Sequence, residues 1–189
     1  MNAQAHNIGR AGSQSPTAHR LLGNPLDFIH EDHMRERTFC AALIDLACTE
    51  TAMADLAGKI AEFLGQELPL HIADEEQDLF PLLRRRCMKE DEIGRVLERL
   101  HTDRRHAAIN TPTVLTILKK FAAGTELSGE DSAALSTFAD HSRRHLILEN
   151  AVILPLARVR LTSEDLDTLR LRMMQRRGLD RLMERPHAE

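Results

Sequence analysis

The chain has 189 residues, a formal net charge of −4 at pH 7, 42% hydrophobic and 29% charged residues, the make-up of one globular domain with a sizeable core. That balance gives no global electrostatic case for nucleic acid, no apolar run approaches the roughly 20 residues needed to cross a bilayer, and six Phe with no Trp or Tyr leave little for recognition by aromatic stacking. Cys40, Cys48 and Cys87 are scattered and odd in number, so reduced thiols are expected rather than a disulfide framework, and with no hydrophobic leader the expected location is the cytoplasm.

Residues 1–23 are polar and read as a flexible N-terminal arm. Asn24-Pro25 starts a helix, with Asn as N-cap, Pro in the first turn and Asp27 where the helix dipole favours an anion. To about Ala47, Leu26, Ile29, His33, Cys40, Ile44 and Ala47 share one stripe at helical period. A second helix is expected from about Thr51 to Arg86, turning Ile60, Leu64, Leu68, His71, Glu75, Leu79 and Leu82 inward. Pro69 and Pro81 lie inside it and predict a kink or break near each. The third helix spans about Glu90 to Ala123, with Ile93, Leu97, Leu100, Arg104, Ala108, Leu115 and Leu118 on its face and Gly124 as C-cap. Ser128-Gly129-Glu130-Asp131 resembles a capping box and opens a fourth helix that carries Phe138, His141, His145, Glu149, Val152 and Leu156. Thr162-Ser163-Glu164-Asp165 starts a short fifth helix to about Arg177, amphipathic through Leu166, Leu169 and Met173.

Two phrases repeat. His71-Ile-Ala-Asp-Glu75 and His145-Leu-Ile-Leu-Glu149 each place a Glu four residues after a His, and each has Pro-Leu ten residues after that His. Leu26-Asp-Phe-Ile29-His30-Glu-Asp32-His33 lines up with Leu97-Glu-Arg-Leu100-His101-Thr-Asp103-Arg104. The third and fourth helices thus repeat the hairpin of the first two. The expected fold is all-α, with residues 24–161 forming an up-down four-helix bundle of two repeated hairpins, followed in 162–189 by an extra short C-terminal helix and tail.

On a helix, residues i and i+4 are about 40° apart on adjacent turns, so each His-x3-Glu is a two-toothed metal clamp. His33, His71, Glu75, His145 and Glu149 all fall on inward stripes. A lone core His is commonly satisfied by packing and one hydrogen bond, but a buried carboxylate without a partner is costly. Five such groups in one layer point to a metal site, with an interhelical hydrogen-bond network as the bland alternative. Imidazole plus carboxylate suits iron, manganese or zinc. Asp74, Glu76 and Asn150, beside the two Glu, are placed to orient ligands.

The order His, His-x3-Glu, His-x3-Glu, with Phe-Pro-Leu-Leu after the first clamp, resembles the hemerythrin-like, HHE cation-binding family over about residues 24–160. Asn24-Pro-Leu-Asp-Phe-Ile-His-Glu-Asp-His33 is similar to its opening motif. The resemblance implies a bundle holding non-haem iron, usually a di-iron centre, in proteins that bind or sense dioxygen, nitric oxide, redox state or iron. By position, His33 is the first-helix ligand, His71 and Glu75 the second-helix pair, and His145 and Glu149 the fourth-helix pair, with the two Glu as bridges.

The third helix departs from that pattern, because the repeat register puts Arg104 where the family has a His. Arginine does not ligate as an imidazole does, yet it pairs bidentately with carboxylates. Three readings stay open. His101, one turn earlier, supplies the missing nitrogen; or the site holds a single iron, manganese or zinc with Arg104 compensating charge; or the site is metal-free with Arg104 as the ion-pair partner. His141 lies on the core face as a ligand or supporting residue, His30 is at a stripe edge, and His106 points away from Arg104 in a regular helix. The functional expectation is a carrier, sensor or store for a small diatomic ligand, dioxygen or nitric oxide. The rivals are an iron-dependent oxidoreductase acting on peroxide or dioxygen, and a metal-free helical interaction module. A homodimer through the C-terminal helix is the remaining partner expectation.

Overall fold

In the computed structural model, which describes residues 15–48 and 53–179, every regular element is helical. Helix α1 (Pro25–Cys48) is followed by α2 (Ala54–Glu62), α3 (Leu68–Ala73) and α4 (Phe80–Arg86), joined by π turns at Phe63–Glu67 and Asp74–Leu79. Helical structure is unbroken from 54 to 86, so α2, α3 and α4 form one rod. After α5 (Ile93–Ala122), α6 (Gly129–Leu148) and α7 (Leu154–Arg160) form another rod through a π turn at Glu149–Ile153, and α8 (Ser163–Arg176) closes the order. The expected arm up to residue 14 and the tail from residue 180 lie outside the described residues. The remainder of the arm is not free of the bundle: His19–Gly23 forms a 3-10 turn with Leu22 buried, and Thr17 donates to Asp32 at 2.5 Å.

The helix ends follow their local chemistry. Asn24 Oδ1 accepts from the Leu26 amide at 3.2 Å. Ser128 and Thr162 each accept from an Asp three residues on, and that Asp reaches back to the cap amide, so both capping boxes close. Gly124 takes φ 90° after α5, a left-handed conformation that costs glycine little. The start of α5 moves to Ile93, because Lys89–Asp91 is a 3-10 turn and Glu92 adopts φ 47°.

The prolines act through helix register rather than as breaks. Proline lacks the amide proton of a regular turn, and its ring crowds the carbonyl four residues back. Ahead of Pro69, Pro81 and Pro155 the helix widens into a π turn, whose closing amides (Leu68, Phe80 and Leu154) donate to Phe63, Glu75 and Glu149, five residues back. Pro112 sits inside α5 without such a turn.

The core is two apolar clusters with a polar layer between them. One gathers Leu26, Ile29, Leu79, Leu83, Leu97, Leu100, Ile153 and Leu154, and α8 contributes Leu169 and Met173 to it. The other gathers Phe39, Leu43, Leu46, Ile60, Phe63, Leu118, Leu135 and Phe138. Along the chain α1 runs from the first cluster to the second, the α2–α4 rod runs back, α5 crosses again, and the α6–α7 rod returns. Every crossing passes through the middle layer.

Candidate metal centre

The middle layer takes its polar residues from four stretches of helix. From α1 come Asp32, His33 and Glu36, all buried; from the α2–α4 rod His71, Asp74 and Glu75; from α5 Arg104; from the α6–α7 rod Ser142 and Glu149. His145 is partly exposed at 12% of its side chain. One donor atom from each of His33, His71, Glu75 and Glu149 lies within 4.8 Å of the others. His33 Nε2 is 3.2 Å from Glu75 Oε1 and 3.4 Å from Glu149 Oε2, and His71 Nε2 is 3.3 Å from Glu75 Oε2. The His33 and His71 rings meet edge to face at 4.9 Å.

Arg104 enters this group from the α5 side. Its Nη2 donates to Glu75 Oε2 and, at 2.6 Å, to Glu149 Oε1, while its Nε donates to His145 Nε2 at 2.9 Å. His145 Nε2 is also 2.7 Å from Glu149 Oε1. The guanidinium therefore occupies the space between Glu75, His145 and Glu149. His101 is exposed on α5 and is not brought to the cluster: Arg104 occupies the inward register, and the regular helix holds His101 off that face. His141 is half-buried against a neighbouring cavity, and the side chain of His106 lies outside the described residues.

The charges follow from this geometry. Burial pushes the Glu75 carboxyl up, but Arg104, His71 and His33 overcome it and hold the group well below the usual range. Glu149 is held down more modestly: burial and Glu75 raise it, Arg104 and His145 lower it. Burial disfavours protonated His71, yet Glu75 and Asp32 raise it to about 10. His33 is raised by Glu75 and Glu149 against the same burial. Asp32 is lowered by His71 and Thr17 despite its burial, and it sits 3.5 Å behind His71 Nδ1. Without a metal, protons and Arg104 thus balance the carboxylates; an ion would displace the imidazole protons that face them.

Glu36, like Asp32, is a site residue that the apolar stripe of α1 did not point to. It lies three residues after His33 on the same face of α1, and burial, the dominant influence, raises its pKa. With His71, Arg104, His145, Glu149 and the apolar Phe138, it lines a cavity of about 70 Å³, enough for a water or a diatomic molecule.

Two observations bear on what the centre can hold. Glu149 Oε2 is buried without a hydrogen-bond partner and faces His33, so two imidazole nitrogens and two carboxylate oxygens converge with one acceptor unused. That set fits one divalent first-row ion. A second ion beside His145 would share its place with the Arg104 guanidinium, and the residues present do not fit it.

The Hemerythrin HHE cation binding domain profile matches residues 24–157, most of the chain, and the protein belongs to that family. The family match suggests metal binding, and the buried group of His33, His71, Glu75 and Glu149 is one that could hold an ion. A comparison with curated proteins finds no significant match. Among the described residues no helix is long and apolar enough to cross a membrane.

Proposed function

We propose that this protein binds one redox-active divalent ion, iron above all, through His33, His71, Glu75 and Glu149, and that it carries or senses a small ligand such as dioxygen or nitric oxide. The single observation that carries the reading is the placement of Arg104 against both Glu75 and Glu149. Asp32, Glu75 and Glu149 are held ionised, and burial favours neutral Glu36. With neutral histidines, these carboxylates and the guanidinium leave a charge that one divalent ion cancels. A second ion would leave uncompensated positive charge in a buried layer, which is costly. The di-iron centre typical of the family is therefore replaced here by an ion and an arginine. The up-down arrangement of two hairpins is part of the proposal, supported by the alternate passage of the helices between the two apolar clusters.

In this reading His33 and His71 supply nitrogen, Glu75 and Glu149 supply oxygen, and Asp32 faces the other nitrogen of the His71 ring at 3.5 Å. The ion would supply reversible redox chemistry and a coordination position for the diatomic. The cavity beside Glu36 and Arg104 would admit that molecule, and Leu68, Ile72 and Phe138 on its wall would limit water.

Metal analysis of the purified protein, with ultraviolet–visible spectra of the reduced, oxidised and azide-treated forms, tests this. One ion per chain without oxo-bridge bands is the expected result; two irons with such bands would overturn it. A second reading draws on the same Arg104 contacts, which complete the carboxylates without any ion: a metal-free module. Purified protein that stays free of iron, manganese and zinc at millimolar concentrations would establish that reading. Peroxide consumption above that of free iron would move the assignment to an oxidoreductase.

A further inference from the structure

An imidazole that ligates through Nε2 needs its proton on Nδ1, and an acceptor at Nδ1 selects that tautomer. His33 has such an acceptor. Its Nδ1 is 3.2 Å from Asn150 Oδ1, while its Nε2 faces Glu75 and Glu149. The orientation of the Asn150 amide is itself fixed, because its Nδ2 donates to the Leu146 carbonyl at 2.9 Å. Turned over, it would set oxygen against oxygen. The same Oδ1 lies 3.1 Å from Nδ1 of His30 on the exposed side, and an amide oxygen accepts two hydrogen bonds.

We infer that Asn150 is the positioning residue of the centre: it selects the Nδ1–H form of His33 and aims Nε2 at the two carboxylates, with His30 bracing the same oxygen from the surface. The inference rests on the metal-binding reading for its purpose but not for its geometry. Asn150 follows Glu149 directly in the π turn ahead of Pro155. One turn of helix therefore presents both a ligand of the centre and the residue that orients a ligand from α1.

The test is ring-nitrogen NMR on 15N-histidine-labelled full-length protein, metal-free and with zinc as a diamagnetic probe, together with zinc titration. Of the ten histidines, His33→Gln identifies the His33 signal by removing it, and His30→Gln does the same for its neighbour at Asn150. A slowly exchanging Nδ1 proton on His33 is expected in the parent chain and in Asn150→Asp. In Asn150→Leu that proton should exchange freely and zinc affinity should fall about 10- to 100-fold, with Asn150→Asp restoring most of it. If Asn150→Leu does not fold, Asn150→Ala and the parent spectrum carry the comparison. His33 protonated at Nε2 alone, or zinc affinity unchanged without the amide, would overturn the inference. If the parent chain takes up no zinc, the metal reading fails separately. The metal-free spectra then decide the inference alone: an Nδ1 proton that exchanges slowly in the parent chain and freely in Asn150→Leu supports it, and Nε2–H alone, or equal exchange in both chains, overturns it.

Discussion

Arg104 is where one residue decides the character of the layer. Removing its charge while keeping its bulk, as in Arg104→Met, strands Glu75 and Glu149 as buried carboxylates, and losing one partner of a buried pair typically costs about 3–5 kcal/mol. Urea denaturation of the metal-free variant should show a loss of that order, and a bound ion should shrink it. Arg104→His is expected to raise metal content from one ion toward two per chain by elemental analysis, since it removes the cation and adds a donor. His33, His71, Glu75, His145, Glu149 and Arg104 were all legible in the sequence, because helical period and the repeated phrases place them on inward faces. Asp32 and Glu36 were not, because the sequence reading gave α1 one buried face. In the bundle α1 is also buried at Arg35, Phe39, Leu43 and Leu46, so its stripe widens to take in the neighbours of His33. His101 looked eligible because a stripe does not show that the helix stays regular around Arg104.

At the scale of an element, the prolines were legible as disturbances but their consequence was not. A kink needs only a missing amide; a π turn also needs neighbours that hold the widened backbone, and those are tertiary. Two of the turns close on the carbonyls of Glu75 and Glu149, so the side chains at the centre start from the widened turns. Pro155→Ala permits an ordinary α turn and should rotate Glu149 relative to His145. Metal affinity is expected to fall at least about tenfold, 1.4 kcal/mol at 25 °C, with little change in Tm; isothermal titration alongside a thermal melt checks both. At the α8 start, Asp165 closes the capping box with Thr162 and accepts from Arg86 at 2.7 Å and Arg85 at 2.9 Å. Arg86, above all, holds its carboxyl far below the ordinary 3.8. A depressed carboxylate contributes stability that is present above the unfolded value and is lost as pH falls through the folded one. Asp165→Ala should therefore cost about 1–2 kcal/mol at pH 7. Melting curves should show the gap to the parent chain narrowing as pH drops below 3.8.

At the scale of the whole molecule, α8 turns a bundle into a closed unit around its centre. The amphipathic pattern of this helix suggested a face for a second subunit; within this chain Leu169 and Met173 are fully buried against the bundle. Each such burial contributes about 1.5–3 kcal/mol. The polar side of the contact falls on the π turn beside Glu75. Asp74 is buried and accepts from Arg176 and, at 2.6 Å, from Arg177, while Asp78 accepts from Arg176 at 2.6 Å and from Arg172 at 3.1 Å. Burial still pushes the Asp74 carboxyl above its usual range, with Arg177 and Arg176 opposing that rise. Arg176→Ala/Arg177→Ala would leave Asp74 without those two partners one residue from Glu75. Two results are expected together: a stability loss of about 3–5 kcal/mol in denaturant, and weaker metal binding as the turn that presents Glu75 loosens. Loss of stability with unchanged affinity would show that α8 fastens the bundle without supporting the centre.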